Sequence, residues 1–163
     1  MALCSLLTCT ALVLSIIEGM LPASVIPIPG IKLGLANIVI LFALYRLNAS
    51  AATSVLIAKC VLAAIFGGGI TSFAFSITGG LLALAVMSYF KKLDGHGVSI
   101  FGVSIAGAAA HGIGQITASV VMLGTLTVVY YLPVLLLSGI ITGALTGAIC
   151  SFLFNRLPKN FLK

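Results

Sequence analysis

The chain has 163 residues, of which 61% are hydrophobic and 6% charged, and eight Lys or Arg residues stand against two acids. A soluble domain carries about a quarter charged residues because its surface must face water, so a water-soluble fold is excluded. A disordered chain is excluded as well, since such chains have little apolar content. The composition therefore predicts a protein whose outer surface faces lipid.

The apolar segments are continuous, as in residues 132–141, and do not alternate as the strands of an outer-membrane barrel do. A membrane-spanning helix needs about 20 mostly apolar residues. We therefore expect an all-α integral membrane protein with one domain over residues 1–163. The six transmembrane helices predicted from the sequence cover residues 2–21, 33–46, 51–67, 70–90, 98–123 and 133–155.

Several of these predicted spans carry distinctive features in chain order. A segment with three prolines at 22–32 follows the first span, and we expect it to form a stiff, extended loop. The third span holds Lys59 near its middle and ends in three glycines. Residues 91–97 form the clearly hydrophilic loop before the fifth span, and a basic tail follows the sixth.

The placement of the basic residues predicts the orientation of the bundle. Cytoplasmic loops of membrane proteins carry an excess of Lys and Arg. Lys32 alone falls between spans on the other side, and Lys59 lies within a span. With both termini in the cytoplasm, the inside segments hold Arg46, Lys91, Lys92, Arg156, Lys159 and Lys163.

Small residues recur every four positions in the last two spans, which is typical of helices that approach closely in a membrane. We expect these rows to pack inside the bundle; a docking face for another membrane subunit is the alternative. The predicted packing residues are Gly102, Ala106, Ala110 and Gly114 in the fifth span and Gly139, Gly143 and Gly147 in the sixth.

Polar side chains inside a membrane are costly, so each is a candidate for function. An ammonium near mid-bilayer, as at Lys59, needs a partner or an aqueous cavity. The alternative for Lys59 is a purely structural pair with Glu18, and for Lys32 it is an interfacial position. His111 and Gln115 are four residues apart and share a helix face, where an interhelical hydrogen bond is the alternative to a ligand contact.

The predicted substrate-binding residues follow from these positions; Asn37 is added because it lies just inside the second span. They are Glu18, Lys32, Asn37, Lys59, His111 and Gln115.

The sequence does not favour an enzyme. Prenyl diphosphate chemistry needs several carboxylates around Mg²⁺, and the chain has only Glu18 and Asp94. No P-loop or Ser-His-Asp set is present, and Cys4, Cys9 and the other two cysteines have no CxxC or metal-ligand spacing. We therefore expect no catalytic residue, metal or cofactor. We also expect no nucleic-acid partner, because the positive charge is explained by membrane topology.

Five segments carry a resemblance to a known family, in order along nearly the whole chain. The chain resembles the Gx transporter family, also described as heptaprenyl diphosphate synthase component I. The segments are SIIEGMLP at 15–22, IPGIKLGLANIVILFALY at 28–45, SITGGLLALAVM at 76–87, SIAGAAAHGIGQ at 104–115 and YYLPVLLLSGIITG at 130–143.

This resemblance implies an architecture similar to the S components of energy-coupling-factor (ECF) vitamin transporters. Such proteins are six-helix bundles of the bacterial cytoplasmic membrane that bind a small molecule from outside. They work with a transmembrane coupling subunit and two cytoplasmic ATPases. The six polar residues named above match the polar motif positions of the family.

We therefore expect a substrate-capture subunit with its site near the outer face and residues 22–30 as a lid. The alternative is a non-catalytic membrane accessory protein in heptaprenyl diphosphate and menaquinone metabolism, or in flavin-linked redox metabolism. Side chains of both signs leave a zwitterion, an anion and an amide-bearing ring open as ligands.

Overall fold

The computed structural model of the chain describes residues 2–20, 32–93 and 98–157, and these residues are predominantly helical. A π-helical turn at Ala64–Gly68 joins the third and fourth helices, and a 3-10 helix at Leu126–Tyr131 precedes the last. The α-helices are α1 (Ala2–Gly19), α2 (Asn37–Arg46), α3 (Ala49–Ala63), α4 (Gly69–Lys91), α5 (Ile100–Leu123) and α6 (Leu132–Arg156).

Four helical stretches of the described chain are long and apolar enough to cross a membrane. They are Ala2–Gly19, Ala49–Lys91, Ile100–Leu123 and Leu126–Arg156. The chain is therefore an all-helical membrane protein. α2 has 10 residues, or about 15 Å at the rise of an α-helix, which is short for a span.

The stretch Ala49–Lys91 is folded back on itself. Its helical dihedrals are interrupted at Phe66 and Gly67, and the left-handed φ of +111° at Gly67 favours glycine. On the two sides of this turn, the side chain of Leu56 lies directly against Gly80. α3 and α4 therefore lie side by side as an antiparallel pair.

The predicted start of the second span at residue 33 is wrong, because α2 begins at Asn37. Side chains from other helices bind the backbone of Lys32, the carbonyl of Leu33 and the N–H of Leu35, and residues 32–34 are not helical. Gly34 adopts a left-handed φ of +89°, which ends any helix there. The third predicted span, at residues 51–67, also differs from the structure, because α3 ends at Ala63 and the π-helical turn follows it.

Basic side chains tie the ends of three helices together. The guanidinium of Arg46, at the end of α2, donates hydrogen bonds to the carbonyls of Phe154 (3.2 Å) and Leu157 (2.9 Å) at the end of α6. The ammonium of Lys91, at the end of α4, donates to the carbonyl of Leu44 at 2.6 Å. The C-terminal ends of α2, α4 and α6 therefore lie at the same end of the bundle, where cations satisfy their free carbonyls.

The glycines of α6 lie directly on α5. A Cβ added at Gly143 would lie 2.7 Å from the Cα of Ile105, and one at Gly147 would lie 3.0 Å from the Cα of Phe101. Gly139 lies less tightly, at 3.4 Å, against Ala108. Backbone-to-backbone approach of this kind supplies the dispersion contacts that hold membrane helices together.

α5 contacts α4 through another glycine pair. A Cβ at Gly114 would lie 2.7 Å from the Cα of Gly79 and 2.9 Å from the carbonyl oxygen of Thr78. This contact brings the α5 face that carries His111 and Gln115 against α4, since Gly79 also lies beside both side chains.

The predicted small-residue row of α5 does not pack along its full length. Ala110 is buried and Ala106 is half-buried, but Gly102 is exposed. A Cβ at Gly102 would meet only Val98 and Ser99. The prediction that Gly102 packs against a neighbouring helix is therefore wrong, because in the first turn of α5 it faces only the chain that leads into its own helix.

Candidate ligand-binding site

Gln115 holds the segment before α2 by its side-chain amide. The backbone N–H of Lys32 donates to Oε1 of Gln115 at 2.9 Å, and Nε2 of Gln115 donates to the carbonyl of Lys32 at 2.8 Å. An amide offers a donor and an acceptor side by side and so matches one backbone residue. Gln115 is 0% exposed, and this exchange satisfies it in the interior.

Three further side chains hold the same segment. Oε1 of Glu18 accepts from the backbone N–H of Leu35 at 2.7 Å, and the hydroxyl of Thr142 donates to the carbonyl of Leu33 at 3.2 Å. The ammonium of Lys32 donates to the hydroxyl of Ser15 at 2.8 Å. Residues 32–35 are therefore fixed by α1, α5 and α6 together.

Two ammonium groups interact with one carboxylate around this segment. Glu18 interacts electrostatically with both Lys59 and Lys32, and the two lysines also interact with each other. Burial lowers the pKa of Lys32, the neighbouring Lys59 ammonium lowers it further, and the Glu18 carboxylate opposes both effects. The region therefore combines two lysines with one glutamate, and the two lysines disfavour each other's charged form.

Lys59 is the most deeply buried of these charged groups. It lies on α3 and is only 3% exposed. Its ammonium interacts electrostatically with Glu18 and with Lys32. A buried ammonium is costly unless it is paired, so Lys59 needs the Glu18 carboxylate or another anionic partner.

Asn37 and His111 also have unused hydrogen-bonding atoms. Nδ2 of Asn37 and Nδ1 of His111 are buried and have no partner of hydrogen-bonding geometry within residues 2–20, 32–93 and 98–157. Gly34 passes between these side chains: a Cβ there would lie 3.0 Å from Nδ2 of Asn37 and 3.3 Å from Cδ2 of His111. The glycine therefore lets the backbone approach both residues closely.

The six residues predicted for the site come together in one region and divide into two groups by what they contact. Glu18, Lys32 and Gln115 bind the segment before α2 or its neighbours, and we call them the anchoring residues. Asn37 and His111 keep unused hydrogen-bonding atoms within the described chain, and together with the buried Lys59 we call them the unsatisfied residues. The first group fixes the segment before α2, and the second keeps hydrogen-bonding capacity.

The sequence reasoning missed Ser15 and Thr142 as members of the site. Ser15 is three residues before Glu18, a spacing that places both on one helix face, and that signal was available. Thr142 adjoins the glycine row of α6 and gave no separate signal. The predicted lid at 22–30 lies outside the described residues, as do the loop at 94–97 and the tail at 158–163.

No three His, Cys, Asp or Glu side chains come together as metal ligands would within the described ranges.

Most of the chain matches the model of a known protein family. The model of heptaprenyl diphosphate synthase component I matches residues 7–153. The chain belongs to the heptaprenyl diphosphate synthase component I family.

The matched range of this component I family member includes both the anchoring and the unsatisfied residues, and it ends within α6. No curated protein and no solved structure matches the chain. The family is therefore established by the match to its model.

Proposed function

We propose that this protein is a substrate-capture subunit, similar to the S component of an ECF transporter, that binds a small molecule in the membrane. The single observation that carries the proposal is the group of unsatisfied residues, Lys59, Asn37 and His111. They are at least nine-tenths buried beside a segment that three helices hold in place. A polar centre with unused hydrogen-bonding capacity is suited to bind a ligand.

We further propose that all six helices cross or enter the membrane, with both termini in the cytoplasm. Arg46, Lys91 and Arg156 support this orientation because they end α2, α4 and α6 at one end of the bundle. Positively charged ends face the cytoplasm, which leaves the segment before α2 toward the outside. The ligand would then enter from the outer face of a bacterial cytoplasmic membrane.

Energy for release would come from partner proteins, since the sequence contains no P-loop. The partners proposed are a transmembrane coupling subunit and two ATPases, as in the transporters that the family resembles. Reorientation of the bundle by these partners would expose the site to the cytoplasm.

The partner proposal is tested by affinity purification of the tagged protein from membranes of its native host, with identification of the proteins retained. Recovery of the coupling subunit with both ATPases, and ATP-dependent loss of a bound small molecule, is the expected result. Repeated recovery of other proteins without any ATPase would contradict it.

The family's description favours a second candidate, a non-catalytic membrane accessory of heptaprenyl diphosphate synthesis. We propose that neither role makes the chain itself the catalyst, because its two acids are too few for the Mg²⁺ sites of prenyl transfer. The accessory role predicts that the same purification retains a soluble prenyl synthase. Prenyl transfer by the purified chain alone would overturn the non-catalytic assignment.

A further inference from the structure

The charges around the site do not balance within the protein. Lys32 and Lys59 both interact with Glu18, which is the one carboxylate of this cluster. That carboxylate also accepts the backbone N–H of Leu35 at 2.7 Å. The cluster therefore contains two basic side chains and one acid, and the Glu18 carboxyl is shared between both lysines and a backbone N–H.

The described residues offer no second acid to the two lysines. The sequence holds two acidic residues, Glu18 and Asp94, and Asp94 lies outside the described ranges. Within residues 2–20, 32–93 and 98–157, therefore, Glu18 is the one carboxylate side chain that faces Lys32 and Lys59.

The donors of Asn37 and Lys59 are suited to an anionic partner. Nδ2 of Asn37 is a donor with no acceptor in the described chain, and the ammonium of Lys59 offers three donors. A carboxylate or phosphate group presents several acceptor oxygens and a negative charge together. A cationic ligand would instead add to the repulsion between the two lysines.

We infer that the site takes an anionic ligand whose carboxylate or phosphate group contacts Lys59 and Asn37. This inference rests on the proposed capture function and narrows it, since a zwitterion, an anion and a neutral amide were all compatible with the sequence. The anion can be a free solute or the headgroup of a lipid, and the experiment separates these two sources.

The test uses three probes that share one ring and differ in charge: benzoate, benzamide and benzylamine. Thermal unfolding of the purified protein in an uncharged detergent is followed with a thiol-reactive dye, which reports exposure of the buried Cys60 and Cys150. At about 20 mM and constant ionic strength, benzoate should raise the unfolding temperature by about 3 °C or more. Benzamide and benzylamine should give a smaller shift or none.

Three variants assign the effect to Lys59. K59M should abolish the benzoate shift, and K59R should keep it because the charge remains. K92M makes the same chemical change at an exposed lysine near the end of α4 and should keep the full shift. Without any probe, K59M should unfold at the same temperature as the wild type or higher, because an uncompensated charge has been removed.

The outcomes distinguish a failure of the anionic-ligand inference from a failure of the proposed capture function. An equal or larger shift with benzamide or benzylamine, or a K59M variant that responds to benzoate, would overturn the anionic ligand and leave the capture function standing. A lower unfolding temperature of ligand-free K59M would mean that Lys59 serves as a structural partner of Glu18, and it too would overturn the inference. No shift with any probe, together with no bound molecule after purification, would overturn the capture function itself.

A second arm identifies the source of the anion. Phosphatidylglycerol is added to the detergent before the probes. If it produces a Lys59-dependent shift to which benzoate adds nothing, the anion is a lipid headgroup, and the charge argument is supported. If benzoate still shifts the wild type and K92M in the presence of this lipid, the anion is a free solute.

Discussion

At the scale of single residues, the side-chain amide of Gln115 supplies the hydrogen bonds that a helical turn would otherwise give to the backbone of Lys32. Its two hydrogen bonds, at 2.9 and 2.8 Å, satisfy a backbone N–H and a carbonyl that α2 does not include. Gln115 is fully buried, so bulk solvent does not reach these groups. Removing the amide therefore leaves both backbone groups unsatisfied.

We expect Q115M, which keeps the length of the side chain, to lower the free energy of unfolding by about 2 kcal/mol, because buried polar groups lose their partners. The matched control is T117V on the same helix, where the exposed Thr117 hydroxyl binds only the carbonyl of Ile113. That control should change stability by less than about 0.5 kcal/mol. Denaturant titration of both variants checks the difference, and equal stabilities would show that the amide does not hold the segment.

The polar residues of the site could be found from the sequence, because a charge or amide inside an apolar span is conspicuous. Their division into anchoring and unsatisfied residues could not be predicted from the sequence, because it depends on which side-chain atoms reach the backbone of residues 32–35. Thr142 shows the limit most clearly. A threonine in a membrane helix usually binds its own helix, and only the fold brings this hydroxyl to Leu33.

At the scale of helices, the approach of α4 to α5 depends on the absence of side chains. G114A should destabilise the protein by about 1–3 kcal/mol, because its Cβ would lie 2.7 Å from Gly79 and 2.9 Å from the carbonyl of Thr78. G102A is the control on the same helix, since its Cβ would meet nothing closer than 3.5 Å. It should be neutral or slightly stabilising; equal losses for the two variants would contradict this packing.

The turn between α3 and α4 gives a second comparison of glycines. Gly67 has no neighbour within 4 Å but adopts a φ of +111°, so G67A should cost about 1 kcal/mol through backbone strain alone. Gly19 is equally open, and its φ is not positive. G19A should therefore leave the unfolding temperature unchanged, and a matching loss in both variants would show that φ is not the cause.

The positions of the helices were largely predictable, because apolar length and the polar loops mark them. The start of α2 was not. Residues 33–36 read Leu-Gly-Leu-Ala and continue the apolar run, so nothing local separates them from the helix. Side chains from α1, α5 and α6 hold this backbone, and such long-range partners leave no mark on hydropathy.

At the scale of the whole molecule, the proposed orientation predicts which loops face outward. In a background with all four cysteines replaced by alanine, Y130C should react with a membrane-impermeant maleimide in intact cells. K92C should react only after the membrane is opened. Both positions are exposed, so reactivity reports the side of the membrane; the reverse pattern would invert the topology and move the site to the cytoplasmic face.

The central claim is that a buried polar centre in this component I family member captures a small molecule. Native mass spectrometry of the wild type, K92M and a K59M/H111L double variant, each purified gently from the same host, tests it most directly. We predict one small adduct on the wild type and on K92M, and its loss from the double variant. Wild-type protein that carries no adduct, or a double variant that carries the same adduct at the same occupancy, would contradict the claim.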